Sequence, residues 1–212
     1  MIKVPRAVKP RILEDNAANW TRNLLSARTK KEKDAAESKY RHTSIKAALK
    51  CMFHDKCAYC ESKISHVSYG HIEHYKPKNT TTYRNLTFEW NNLLLSCPVC
   101  NGTGYKGTKF PLAADGGPFI NPCDDEPDDH FDFVYDQTAK LATVVGKTTR
   151  GRTTEIQIGL NRNELRDKRT KWVQSLLVLK NHAQTDPEAA EILRQAKLDD
   201  AEYAAFARSL MI

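Results

Sequence analysis

Cys57-Ala58-Tyr59-Cys60 and Cys97-Pro98-Val99-Cys100-Asn101 bracket the stretch on which the reading of this chain turns, with 36 residues between the two pairs. Inside lie Ile72-Glu73-His74-Tyr75-Lys76-Pro77-Lys78 and Trp90-Asn91-Asn92-Leu93-Leu94-Leu95-Ser96. Each Cys-x-x-Cys turn offers two thiolates from one tight loop, and two such turns supply the four soft donors of a tetrahedral zinc ion. A redox dithiol needs only one pair, and cysteines packed in a core by coincidence need no such spacing. Cys57, Cys60, Cys97 and Cys100 are therefore read as ligands of a structural zinc. A closed four-cysteine site has no open coordination position, so catalysis must come from elsewhere. Cys51 and Cys123 stand outside the pairs.

Working outward, the order of elements expected in the loop is a short strand over Val67–His74, ended by Pro77, then a long polar loop, a second strand or turn through Leu86–Ser96, and a short helix from Asn101. Upstream, Pro5 and Pro10 favour an extended basic arm over residues 1–11. Leu13, Ala17, Trp20 and Leu24 recur at helical spacing over about 11–28, and Ile45, Ala48, Leu49 and Met52 do so within a second helix over about 31–53. Downstream, Asp115 to Asp129 is acidic and turn-rich, a solvated loop unless it holds a second metal or meets a basic partner. Phe131–Tyr135 and Leu141–Val145 read as a hairpin, followed by two helices, one capped by Asn161 or Asn163 and one opened by Asp186-Pro187. Arg162, Arg166 and Arg169 share a face of the first of these and are read as facing DNA or a protein partner. The organisation expected is a basic N-terminal arm with helices (1–53), a metal-organised core (54–112) and an acidic loop, hairpin and helices (113–212), joined as one unit.

The chain's 212 residues carry a formal charge of +7 and a pI near 9.1, the footprint of a nucleic-acid-binding protein. The charge is unevenly spread: residues 1–50 hold thirteen Lys and Arg against five Asp and Glu, whereas 111–136 hold eight acidic residues and no basic one. Without an apolar run of about 20 residues, no membrane span is expected. The N-terminus lacks a secretory signal, which places the chain in the cytoplasm, where thiols stay reduced and bind metal. It also lacks a Gly-x-x-x-x-Gly-Lys-Ser/Thr loop, so any use of ATP would require another subunit.

Glu73-His74, Asn92 and Asn101, in this order and interleaved with the two cysteine pairs, resemble the HNH endonucleases, whose ββα-metal site is written as an acidic residue with His, a central Asn, and a last His or Asn after a Cys-x-x-Cys. Glu73 stands where Asp is commoner, and Asn101 where His is. The resemblance extends to the PtuB family through Cys-Ala-Tyr-Cys-Glu, Ile-Glu-His-Tyr-Lys-Pro-Lys and Trp-Asn-Asn-Leu-Leu-Leu-Ser-Cys, and more loosely through Ile158-Gly159-Leu160-Asn161-Arg162. It implies a mostly helical α+β fold with a zinc-organised ββα-metal core flanked by N- and C-terminal helices. It also implies a metal-dependent DNA endonuclease that accompanies a PtuA-like ATPase in Septu and some retron anti-phage systems. A binding module that uses zinc but cuts nothing is the alternative, and RNA is a second possible target.

Phosphodiester hydrolysis itself requires an activated water and neutralisation of developing charge. His74 suits the general base, since an unshifted imidazole is largely neutral at physiological pH. Glu73 and Asn101 offer hard oxygen donors to Mg2+, with Mn2+ as substitute. Asn92 either orients His74 or pins the loop. Lys76, Lys78, Lys106 and Lys109 are read as phosphate contacts, which position a nucleic acid without reading its sequence. His71 is read as a surface or packing residue, with a part in the site or an approach to the DNA as the alternative. Neighbouring residues on a strand face opposite ways, so Glu73 and His74 can share one site only if the strand ends or twists there.

Overall fold

The computed structural model describes residues 1–64 and 69–210. The basic arm is extended as its prolines dictate. The Val4 N–H donates to the Pro122 carbonyl (2.9 Å), and the Arg6 guanidinium donates to the carbonyls of Trp90, Asn91 and Leu93. The N-terminus is thereby tied across the central module. Three helices follow: α1 (Arg11–Ser26), α2 (Lys30–Glu37) and α3 (Thr43–Met52).

The single helix read over 31–53 is broken, because α2 gives way to a 3-10 turn at Ser38–Arg41 and His42 leaves helical geometry (φ −55°, ψ 137°). The His42 ring accepts the Ser44 N–H at 3.2 Å, satisfying one of the donors left unpaired at the start of α3. The break carries Tyr40 and Arg41 toward the central module.

Between the cysteine pairs, β1 (His71–His74) runs antiparallel to β2 (Leu93–Ser96), pairing His71 with Ser96 and His74 with Leu93. Of the longer strand read over Val67–His74, Tyr69 and Gly70 are not in the strand, and Val67 and Ser68 lie outside the described residues. The connection contains 3-10 turns at Arg84–Leu86 and Trp90–Asn92. Where a short helix is read from Asn101, the chain forms a run of turns over 98–108. Three glycines there (102, 104 and 107) disfavour a helix, and Gly107 adopts φ +47°, outside right-handed helical space.

The C-terminal half opens with the short α4 (Pro127–His130) and the hairpin β3 (Phe131–Asp136) and β4 (Leu141–Gly146), in register Phe131 to Gly146. Four helices succeed it: α5 (Thr149–Ile158), α6 (Asn163–Lys180), α7 (Pro187–Ala196) and α8 (Ala204–Ser209). The last helix read from sequence is thus two, separated where Tyr203 takes φ +51° with its ring buried. Neither Asn161 nor Asn163 caps α6. Asn161 instead brackets Val144, accepting its N–H (2.9 Å) and donating to its carbonyl (2.7 Å), so the hairpin is held to the chain between α5 and α6.

The architecture is α+β and mostly helical. One apolar cluster runs from Met1 through Leu13, Ile45 and Leu93–Leu95 to Phe131 and Phe206. Each fully buried Leu or Phe in it contributes roughly 1.5–3 kcal/mol. Part of the acidic stretch is neutralised within the chain, since Arg150 grips both carboxylate oxygens of Asp125 (2.9 and 2.7 Å). Among the described residues no helix is long and apolar enough to cross a membrane.

Candidate active site

The turn Cys57–Cys60 follows α3, and Cys97–Cys100 follows β2, so the β1–β2 pair is clamped at its base by both. The four sulfurs lie within 4.8 Å of one another, and Cys60 and Cys97 are 4.0 Å apart. A tetrahedral zinc with bonds of about 2.3 Å has sulfur–sulfur edges of about 3.8 Å, so the cluster is of the right size for that ion. The Cys100 N–H donates to the Cys97 sulfur at 3.3 Å, and the Arg162 guanidinium donates to the Cys100 sulfur at 3.4 Å. Arg162 also lies over the Tyr105 ring. Gly159, at φ +67°, lets Tyr105 approach so closely that an added Cβ would fall 2.0 Å from the ring. The Ile158–Arg162 stretch is therefore the strap that brings a cation to the cysteine sulfurs, and Arg162 faces the cysteine cluster instead of a ligand. Arg169 likewise turns inward, buried and donating to the Leu160 carbonyl at 2.6 Å. Desolvation in that position lowers its pKa to about 10.

Above the cluster, β1 ends at His74, and this ending resolves the alternation problem. Glu73, His74 and Asn101 line one cleft of about 260 Å³, together with Tyr40, Lys78 and Thr103. The His74 Nε2–H donates to the Thr87 carbonyl at 3.0 Å, which leaves Nδ1 as the nitrogen with the free lone pair. The Tyr40 ring stands edge-on to the His74 ring, centroids 4.7 Å apart, and fixes it from the other side. Burial, reinforced by the ammonium groups of Lys78 and Lys106 and opposed by the Thr87 hydrogen bond, pushes His74 down to about 3. The ring is accordingly neutral at physiological pH, and an anion bound in the cleft would increase its affinity for a proton.

Glu73 is buried, and its carboxylate is paired with the Lys106 ammonium; burial raises its pKa despite that partner. Lys106 departs from its sequence reading. It is wholly inaccessible, donates also to the His74 carbonyl at 3.0 Å, and holds the end of β1 from below, so no phosphate reaches it.

Asn92 settles on the second of its two readings. Its Oδ1 accepts the Lys76 N–H (2.8 Å), and its Nδ2 donates to the carbonyls of Lys76 (3.0 Å) and Leu86 (3.2 Å). It pins the loop whose next residue, Thr87, holds His74, and makes no hydrogen bond to the ring itself. Asn101 is half-buried at the rim and donates to His71 Nδ1 at 3.4 Å, which brings His71 into the site. Lys78 lines the cleft but is paired with Glu37 at 2.5 Å. Lys76 rests over the rings of Tyr83 and Phe110, and Lys109 is exposed. Tyr40 was not legible as a site residue, because no local pattern links a turn between helices to a cleft more than thirty residues away.

A clamped strand pair presenting a carboxylate, an imidazole and an amide to a single cleft, over a ring of four thiolates, is the design of an HNH nuclease, and the HNH endonuclease family profile matches residues 57–106. The chain is 31% identical over 206 aligned positions to Septu protein PtuB of Bacillus mycoides (strain KBAB4), covering 83% of this chain and 68% of that protein. It is 35% identical over 150 positions to Septu protein PtuB of Bacillus thuringiensis, covering 70% of this chain but 52% of that one. Septu protein PtuA of Bacillus mycoides is 27% identical over 179 positions, which cover 71% of this chain and 24% of that protein. The chain belongs to the PtuB family and is an HNH endonuclease by its domain.

Proposed function

We propose that this protein is a Mg2+-dependent DNA endonuclease whose four cysteines hold a structural Zn2+, and that it acts in the cytoplasm as the nuclease of a Septu-type or retron-associated anti-phage complex with a PtuA-like ATPase. The observation that carries the nuclease reading is the orientation of His74. With Nε2 committed to Thr87, Nδ1 is the atom that takes a proton from the attacking water, and the Tyr40 ring keeps it aimed.

Glu73 and Asn101 would hold the divalent ion, a pairing suited to Mg2+ because both side chains offer hard oxygen and leave positions for water and phosphate; Mn2+ fits the same donors. When bound, that ion supplies charge neutralisation at the scissile phosphate. The chain's own contributions are to hold His74 neutral, to set Glu73 against the Lys106 ammonium, and to steady the DNA through Lys78 in the cleft and Lys76 and Lys109 on the flanking loops. The pairing with an ATPase is supported by the Septu names of the relatives and by the similarity to part of a PtuA protein.

The test is cleavage of plasmid, linear duplex and RNA by purified protein with Mg2+, alone and with the ATPase, comparing wild type with His74→Ala. Metal-dependent DNA cleavage lost in the variant is expected. Cleavage that survives the substitution would overturn the assignment of the base, and a complex that cuts no nucleic acid would favour a binding module.

A further inference from the structure

The cleft at His74 opens past Asn101 into a second hollow of about 450 Å³ that the nuclease reading leaves without a role. The two share Tyr40, Ile72 and Asn101 and so form one continuous surface. The second hollow is lined by Arg41 from the 3-10 turn after α2, Lys46 from α3 and His71 from β1, and no carboxylate lines it.

The state of its cations sets it apart from the first cleft. Lys78 and Lys106 are each neutralised by a glutamate. Arg41 and Lys46, by contrast, make no direct ion pair among the described residues; Glu37, the carboxylate whose charge Arg41 feels, is paired with Lys78. The Arg41 Nε donates to the Tyr40 hydroxyl at 3.2 Å, and the Lys46 ammonium lies 6.0 Å from the centre of the exposed Tyr69 ring. Two unneutralised cations converging on a concave, acid-free wall are a receptor for an anion. Tyr40 joins this receptor to the reacting centre, since its ring packs on His74 while its hydroxyl accepts from Arg41.

We propose that this hollow seats a phosphodiester of the DNA strand flanking the one that is cut, with Arg41 and Lys46 as the groups that bind it. The inference rests on the nuclease reading and adds to it that the N-terminal helices, outside the stretch matched by the HNH profile, form one wall of the substrate path. Contacts of this kind position the strand without reading bases.

The test uses the zinc-loaded full chain in a His74→Ala background, so that binding is measured without cutting, with a labelled 20-base-pair duplex titrated across a range of salt. Adding Arg41→Ala and Lys46→Ala together is expected to weaken binding roughly tenfold at low salt and to reduce the slope of log affinity against log salt by about 1, the unit expected for the one phosphate that loses its cations. A control carrying Lys171→Ala and Lys197→Ala removes the same charge from exposed positions on α6 and just after α7 and is expected to leave affinity and slope within twofold of the background. Zinc content and melting temperature verify that each protein is folded. Unchanged affinity in the Arg41/Lys46 variant, an equal loss in the control, or no duplex binding by the background protein would overturn the proposal. Failure of the nuclease reading is scored separately, by cleavage that His74→Ala leaves intact.

Discussion

The two Cys-x-x-Cys turns are built alike and put to opposite uses. In each, the residue after the second cysteine returns its N–H to the carbonyl of the first: Glu61 to Cys57 at 3.0 Å, and Asn101 to Cys97 at 3.1 Å. Glu61 then points into the protein, where its buried carboxylate meets the Met1 ammonium at 2.5 Å and Lys56 at 3.6 Å. Asn101 points outward to the rim of the cleft. One cluster of four cysteines thus joins two turns, of which the first anchors the N-terminal arm and the second sets its side chain at the rim of the cleft, where the proposed function gives it a divalent ion to hold. The lesson is that a rigid turn fixes where a side chain starts, while its surroundings decide what it does. Burial beside two cations ties Glu61 into the core, and an open wall leaves Asn101 facing the cleft.

The most severe way to break this comparison is to remove what the turns share. Cys100→Ser is expected to abolish zinc binding and with it the folded core, because the binding energy of such a site is folding energy, on the order of 10 kcal/mol or more in small zinc modules. Metal analysis and circular dichroism would register both losses. Next in size, His74→Ala should lower the cleavage rate about 10²–10⁴-fold while the zinc content stays at one per chain.

The two residues that follow the turns should then separate cleanly. Glu61→Gln should destabilise the protein by about 3–5 kcal/mol in denaturant unfolding, because it strands a buried ammonium at each of two positions. Its activity per folded molecule should be retained. Asn101→Ala should do the reverse, cutting the rate about 100-fold, the scale of losing one electrostatic stabiliser of developing charge, with a melting temperature close to wild type. The smallest effect sharpens the comparison within the cluster itself. Arg162→Gln should weaken zinc retention about 10–100-fold in competition with a chelator, as expected when a partner of a metal ligand is lost.

The parts of this molecule that were legible in its sequence are those fixed by spacing. Two cysteine pairs imply a cluster whatever surrounds them, and Glu73-His74 with Asn101 are singled out by their resemblance to the HNH pattern, whose order and interleaving with those pairs they share. The hairpin was visible from alternation and its turn. What could not be read depends on tertiary burial. Lys106 looks like any lysine near a nucleic-acid site until Glu73 is found against it. Arg162 and Arg169 repeat at the spacing of an exposed face yet turn into the protein, because thiolates and carbonyls draw them in. Helix α5 was missed for a different reason: Thr149-Arg150-Gly151-Arg152-Thr153-Thr154 has almost no apolar period, and its buried face is made of Gly151, Thr154 and Ile158. The break between α2 and α3 rests on one histidine that caps a helix from outside it, a signal too local for periodicity to show.

The central claim is that one metal builds the site and another works in it, and it is tested most directly by separating the two ions in one preparation. Protein holding one zinc per chain, freed of other metals and supplied with its ATPase partner where cleavage requires it, is assayed on duplex DNA before and after Mg2+ is added. The account predicts no cleavage with zinc alone, cleavage restored by Mg2+ at unchanged zinc content, and loss of both fold and activity once the zinc is withdrawn. Cleavage at full rate with zinc as the only metal, or a folded and active protein after its removal, would contradict it.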